Sequence, residues 1–359
     1  MEPQSPDRSK LEELEQSIGC DWRGIRAARA ATVLRRSQLD ACFTRRGPSD
    51  TSLVVFGSVA RAEVTSGSDL DWILLIDGQS FPEHKEQERE IKRKLLANEF
   101  IEPGASGVFG KMVGSHDLVH NIGGEDDLNS NSTRRVLLLL ESYPIGTREA
   151  YDRVRRQVIR RYVEDDRGLT HASGDLRVPR FLLNDLTRYW RTVTVDFVYK
   201  QVADDDKKWA LRNAKLRMSR KLIFAAGLAR VFLCHLDPAA NEARQALVER
   251  KEVSLLTEYL EQQLALTPLE LLAKLCVDLA VSQQTSRKIF DSYDAFLSIL
   301  DDPSKRAELA HARSHDDLRS SKAWGEVRAV SGPFHDGLVS LFLQEETALK
   351  DLTMRYGLF

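Results

Sequence analysis

A small α/β domain followed by a larger all-helical domain is the fold class this sequence predicts. Three observations predict it. Two short apolar runs, Leu53-Val54-Val55-Phe56 and Trp72-Ile73-Leu74-Leu75-Ile76, stop at Gly57 and at Asp77-Gly78, as buried strands stop at turns. From about residue 130 onward the text changes to helical periodicity. The length, 359 residues, suits about two domains at roughly 100 to 200 residues each.

In chain order, residues 1–10 read as a disordered terminus. From Leu11 to Arg46 the sequence is helical, with Leu11, Leu14 and Ile18 at helical spacing. Gly47-Pro48-Ser49-Asp50 breaks it before the first strand. Residues 83–100 are charged and helix-forming, and residues 101–124 hold six glycines, which predicts loops with short strands between them. Helices are expected at 132–142, 147–164, 180–202, 207–235, 239–265, 268–299 and 334–354. Residues 301–333 are polar and interrupted by Pro303, Gly325, Gly332 and Pro333, so a long mobile connection is expected there. The domains are therefore placed at 11–165 and 166–359.

Composition narrows the function. A 42% hydrophobic share is enough for a real core. A net charge of -2 excludes a general polyanion binder, so any phosphate contact must be local. No apolar run approaches the roughly 20 residues of a membrane span, and Met1–Lys10 is too polar for a signal peptide. Cys20, Cys42, Cys234 and Cys276 are far apart and form no C-x-x-C pair, which makes zinc ribbons and disulfide scaffolds poor readings. Free thiols in a reducing cytoplasm are the reading.

The chemistry lies in Phe56-Gly57-Ser58-Val59-Ala60-Arg61-Ala62-Glu63-Val64-Thr65-Ser66-Gly67-Ser68-Asp69-Leu70-Asp71-Trp72. Gly57 lets the backbone approach a phosphate and permits an unusual turn. Ser58 brings a hydroxyl and an N–H to the start of a helical stretch. Asp69 and Asp71, two apart on a strand, share one face. Paired hard carboxylates suit Mg²⁺, which takes oxygen ligands and keeps substrate phosphates in its shell. An isolated Asp-x-Asp on a polar hairpin is common, whereas this whole string is much rarer.

The segment resembles the Gly-Ser…Asp-x-Asp signature of the DNA polymerase β-like nucleotidyltransferase superfamily. Gly57-Ser58-x-x-Arg61-x-Glu63-x-Thr65-x-x-Ser68-Asp69-x-Asp71 is most similar to the N-terminal nucleotidyltransferase domain of the uridylyltransferase that modifies the PII signal protein, and to its stand-alone relatives. The resemblance spans about residues 20–165 and is strong at 56–76. Two positions depart from it: Ala62 stands where the family often has Gly, and Trp72 is bulkier than usual. The resemblance implies an α/β nucleotidyltransferase domain that transfers an NMP from an NTP to an acceptor, with Mg²⁺ (or Mn²⁺) and release of pyrophosphate. The acceptor class, whether protein, nucleic acid or small molecule, stays open. In this reading Asp69 and Asp71 are catalytic metal ligands, and Gly57, Ser58 and Arg61 bind the nucleotide.

The superfamily places a third carboxylate on a later strand. Glu102, Asp117, Asp126 and Asp127 are the candidates. Asp117 fits best, on a short strand running into a glycine turn, as third metal ligand or base. Asp126-Asp127-Leu128-Asn129 reads instead as an N-cap.

Other signals are weaker. His116-Asp117-Leu118-Val119-His120 has zinc-protease spacing, but flanking glycines make a helix improbable and favour two strand histidines. Ala105–Met112 approximates a phosphate loop and fails at both ends. His-Asp pairs at 315 and 335 lie too far apart for a phosphohydrolase. The run Lys207–Lys221 carries seven basic residues and no acid. As a helix it puts Lys208, Arg212 and Lys215 on one face. The plain reading is a solvated basic face; the functional one is a phosphate clamp by Arg212 and Lys215. The preceding helix adds Arg180, Arg188, Trp190 and Arg191. Tyr189, Trp190 and Trp209 read first as core, with base stacking the alternative. Rival functions are a cyclic-oligonucleotide synthase of bacterial defence, and a non-catalytic nucleotide-sensing or antitoxin module.

Overall fold

A computed structural model describes residues 9–43, 49–101, 103, 107–166, 169, 178–203, 208–312, 315–345 and 347–357. Two helices, α1 (Lys10–Ser17) and α2 (Arg23–Cys42), lead into strand β1 (Thr51–Phe56). A single helical turn, α3 (Ser58–Arg61), precedes β2 (Trp72–Ile76). Then follow α4 (Pro82–Ala97), β3 (Lys111–Gly114), α5 (Ser115–Val119), α6 (Asn129–Leu140), β4 (Ser142–Ile145) and α7 (Glu149–Glu164). The sheet order is β3-β2-β1-β4, with β1 antiparallel to both neighbours and β2 parallel to β3.

Every residue of β1 and β2 is buried, which is why both strands read as unbroken apolar runs. The side chains still alternate. Val54, Phe56, Ile73, Leu75 and Val113 face one core, while Leu53, Val55, Trp72, Leu74 and Ile145 face another with α4 residues Ile91 and Leu95.

The first of these cores runs without interruption into the helical part. That part begins with α8 (Arg180–Ala203) and α9 (Trp209–Lys215), which continues through a π-helical turn (Leu216–Arg220) into α10 (Lys221–Leu236). It goes on through α11 (Asn241–Arg250), α12 (Ser254–Ala265), α13 (Pro268–Asp278) and α14 (Gln283–Asp301). After it come α15 (Pro303–His311), α16 (His315–Ser320), α17 (Lys322–Val339) and α18 (Ala348–Leu352). The N-terminal helices pack back onto it. Leu11 and Leu14 are buried, and α1 packs on α13 while α2 packs on α14. Trp22 stacks on Phe290 at 4.9 Å, and its indole N–H donates to Asp291 at 2.7 Å. Among the described residues no single helix is long and apolar enough to cross a membrane.

Residues 301–333 overturn the expected mobile connection: outside 313 and 314, they are mostly helix. Asp302 caps α15 by accepting from the N–H groups of Ser304 and Lys305, with Pro303 at the first helical position. Ser321 caps α17 by accepting from the Trp324 N–H at 3.0 Å. Pro333 lies inside α17, whose buried face (Trp324, Val327, Phe334, Leu338) packs along α14. Burial of that face outweighs a helix-interior proline, a cost of about 3 kcal/mol. The expected helix at 268–299 is likewise two helices, and of the one expected at 334–354 one helical stretch ends at Gln344 and another begins at Ala348.

Candidate functional site

The Gly-Ser turn is shaped by pairing beyond the strands. The Phe56 N–H donates to the Asp71 carbonyl at 2.9 Å, so extended pairing reaches the second aspartate. Gly57 then takes φ 68, ψ -141, a region that favours glycine. A Cβ added there would lie 3.4 Å from Asp71 Oδ2, so the glycine also brings the backbone close to the carboxylate. The turn α3 ends at Ala62 with φ 61. That left-handed conformation is the physical reason for a glycine at this position, and alanine holds it at a cost of roughly 1–2 kcal/mol. Leu70 points into the core beneath, 2% exposed. Asp69 and Asp71 are half-buried on the other side.

The helical part closes over this pair. Lys215 Nζ stands 3.7 Å from Asp69 Oδ1. Arg220 lines the same small cavity as Lys215. In an uninterrupted α-helix residues five apart diverge, but the π-helical turn between them lengthens the repeat and brings them to one side. From α15, Arg306 donates to the Gly67 carbonyl and lies 3.3 Å from Thr65 Oγ1. Asp301 accepts from the Ser66 N–H at 2.9 Å and from its hydroxyl at 2.8 Å. The segment that carries Asp69 is thus fastened to the α14–α15 corner. The cavity enclosed by Gly57, Ser58, Asp69, Asp71, Lys215 and Arg306 measures about 80 Å³. Two cavities of about 490 Å³ lie elsewhere, one against α4 and one along α8, and neither holds the aspartates.

Beneath the cavity is a buried ion network. Arg61 donates to Glu63 at 2.8 Å and to Glu141. Arg220 reaches the other Glu141 oxygen at 2.9 Å, and the Tyr293 hydroxyl donates to Glu63 at 2.9 Å. Burial disfavours the Arg61 charge, but Glu63 and Glu141 outweigh it and hold Arg61 firmly cationic. Burial pushes Glu63 above the usual carboxylate range despite Arg61. Arg61, expected at the nucleotide, lines the cavity with a guanidinium already engaged by two carboxylates, so its evident work is to hold the floor.

The aspartates themselves differ. Burial raises Asp71, the charge of Asp69 adds to it, and the carboxyl is pushed up to about 6. Burial also works against Asp69, but Lys215, a backbone hydrogen bond, Arg306 and Arg220 outweigh it and keep that carboxyl below its ordinary value. Burial lowers Lys215. Two adjoining carboxylates, one of them resisting ionisation, fit a divalent cation whose charge would relieve the repulsion. Among the described residues no group of three or more His, Cys, Asp or Glu could hold a metal. Such a cation would therefore draw its remaining oxygens from water and substrate phosphates, as Mg²⁺ does.

The other expected site residues fall elsewhere. Asp117 is not on a strand. It is exposed on the helical turn α5, where its carboxylate accepts from Asn121 at 3.2 Å, and it does not line the aspartate cavity. The buried Leu118 and Val119 anchor that turn, overriding the flanking glycines. His116 and His120 therefore share a helical face, with rings 5.2 Å apart. Asp127 is buried and bound by Arg135 at 2.8 Å and Arg188 at 2.6 Å, a structural junction between α6 and α8. The N-cap of α6 is Leu128 rather than either aspartate. Asp126 is exposed, and Glu102 and Ala105 lie outside the described residues. Arg212 lines the adjoining cavity rather than that of the aspartates. Trp190 stacks on Phe224 at 5.3 Å and Trp209 packs on Trp324 at 5.6 Å, both in helix packing. Glu141, Arg306 and Tyr293 were not legible as site residues. The Asp302-Pro303 cap was the one local signal that a helix begins just before Arg306.

A mixed sheet with a glycine turn facing two carboxylates, ringed by Lys and Arg, has the chemical character that phosphate groups and a divalent cation require. Residues 36–102, which span the end of α2 through α4 and both aspartates, match the family model of the nucleotidyltransferase domain. That match supports transfer of a nucleotidyl group as the chemistry. No curated protein matches the chain.

Proposed function

We propose that the chain transfers an NMP from an NTP to an acceptor at the cavity of Asp69 and Asp71. The observation that carries this reading is the convergence of Lys215 and Arg220, from one continuous helix, and Arg306, from α15, on the aspartate pair beside Gly57-Ser58. An acceptor oxygen attacks the α-phosphorus, the bond to the bridging oxygen breaks, pyrophosphate leaves, and the acceptor's proton passes to solvent. Asp69 and Asp71 would hold Mg²⁺. When bound, Mg²⁺ would neutralise the pair and polarise the phosphoryl oxygens. The backbone at Gly57 and the Ser58 hydroxyl offer donors to the outer phosphates. Lys215 and Arg306 offset the charge that develops on the leaving pyrophosphate, held in place beside it before the reaction. Lys215 must first leave Asp69, its partner in this structure. The resemblance of the motif to the PII-modifying uridylyltransferase domain makes a protein the first acceptor to try.

The test is incubation with each of four α-labelled NTPs and Mg²⁺ or Mn²⁺, with and without cell lysate, following label on protein, on RNA and in small molecules. Label transferred by the wild type and not by Asp69→Ala supports the reading. A nucleotide product formed without any acceptor would instead favour a cyclic-oligonucleotide synthase. No label in any fraction would reject transfer.

A further inference from the structure

Beside the aspartate cavity lies a second one of about 190 Å³. The two share Lys215 and Arg220 in their walls. The second differs in character: Phe109, Tyr189 and Phe197 line it, with Thr133 among them. Phe109 is fixed against Phe56 at 5.0 Å, and Phe197 against Trp209 at 6.0 Å, so both rings are held by packing rather than free in solvent. Tyr189 is fully buried. A cavity lined by two aspartates and three cations, adjoining a ring-lined cavity at two shared cations, suits a ligand with a phosphate chain at one end and a flat heterocycle at the other. We propose that this second cavity is the nucleobase pocket of the donor NTP, with Phe197 and Phe109 supplying the faces on which the base stacks.

The proposal rests on the transferase reading, because that reading places the phosphate chain in the aspartate cavity, whose wall shares Lys215 and Arg220 with the second one. It adds where the base goes and which residues hold it. With the phosphate chain in the aspartate cavity, the sugar would pass Lys215 and Arg220 at the junction, and the base would then extend away from Asp69 and Asp71. Stacking is tolerant of base identity, since every base has a π-face. Discrimination would fall to polar groups such as Thr133.

The experiment measures binding to the full chain by calorimetry with Mg²⁺, using inorganic tripolyphosphate and the α,β-methylene analogues of four NTPs. At least one nucleotide should bind roughly tenfold or more tighter than tripolyphosphate, within the range of one base–aromatic stack. Phe197→Ala should erase most of that difference and leave tripolyphosphate affinity unchanged. Lys215→Ala should weaken both ligands. Should Phe197→Ala melt early, Phe197→Leu keeps the packing volume and must show the same selective loss. If nucleotides bind no tighter than tripolyphosphate, or if both Phe197 variants keep the wild-type ratio while folded, the base pocket is rejected and the phosphate site stands. If neither tripolyphosphate nor any nucleotide binds, the transferase reading fails and the pocket with it.

Discussion

Replacing Asp71 by asparagine should stabilise the metal-free protein near neutral pH while it abolishes transfer. Asp71 is held near 6 by burial and by Asp69, against an ordinary value of 3.8. The folded state therefore binds this proton more tightly than the unfolded chain. Between those two values stability falls as pH rises, and the loss is complete above about 6. A shift of about two pKa units corresponds to about 3 kcal/mol at most. Asp71 is only half-buried, so solvent screening reduces this to about 1–2 kcal/mol. The asparagine side chain fills the same space without charge and escapes that cost. Thermal unfolding in EDTA should show Asp71→Asn melting higher than wild type at pH 7, by roughly 2–4 °C per kcal/mol. The gap should close as pH falls below about 4, where Asp71 is neutral in both states. Added Mg²⁺ should raise the melting temperature of wild type and not that of the variant. A variant that melts below wild type at pH 7 in EDTA, or a gap that does not change with pH, would refute the electrostatic account of the pair.

Asp69→Ala should lose transfer by several orders of magnitude, since a lost metal ligand costs several kcal/mol of transition-state stabilisation; circular dichroism should show it folded, and near wild-type turnover would remove Asp69 from the chemistry. Lys215→Ala should raise the KM for NTP, lower kcat, or both, and Glu249→Lys on α11 should do neither in the same steady-state assay. Glu141→Ala removes the carboxylate that Arg61 and Arg220 share and leaves Arg61 only Glu63, so a stability loss of about 3 kcal/mol is expected by urea unfolding. Asp117→Asn should leave transfer kinetics unchanged, because its carboxylate is exposed and outside the aspartate cavity; a dead, folded variant would return Asp117 to the site.

The sequence alone determined the α/β-then-helical order, the two central strands and the Gly57-Ser58…Asp69-x-Asp71 element. Each of these is written locally. Both strands are buried on two faces and so appear as apolar runs. A tight turn needs its glycine, and a pair of residues two apart on extended chain shares a side without help from distant parts. Even the departure at Ala62 was visible before the backbone showed its left-handed angle.

Only tertiary structure decided which charges surround the aspartates. Lys215, Arg220 and Arg306 lie at least 144 residues from Asp71 in the chain, and no local pattern marks which basic residues will fold back. A π-helical turn aligns Arg220 with Lys215, and periodicity at 3.6 residues cannot show that. The segment at 301–333 read as loop because its prolines and glycines are local signals, whereas the packing of α17 on α14 that makes it helix is not. Asp117 was misplaced for the same reason. Glycines on both sides argued for extended chain, and two buried residues, Leu118 and Val119, turned it into a helical turn whose Asp117 does not line the aspartate cavity.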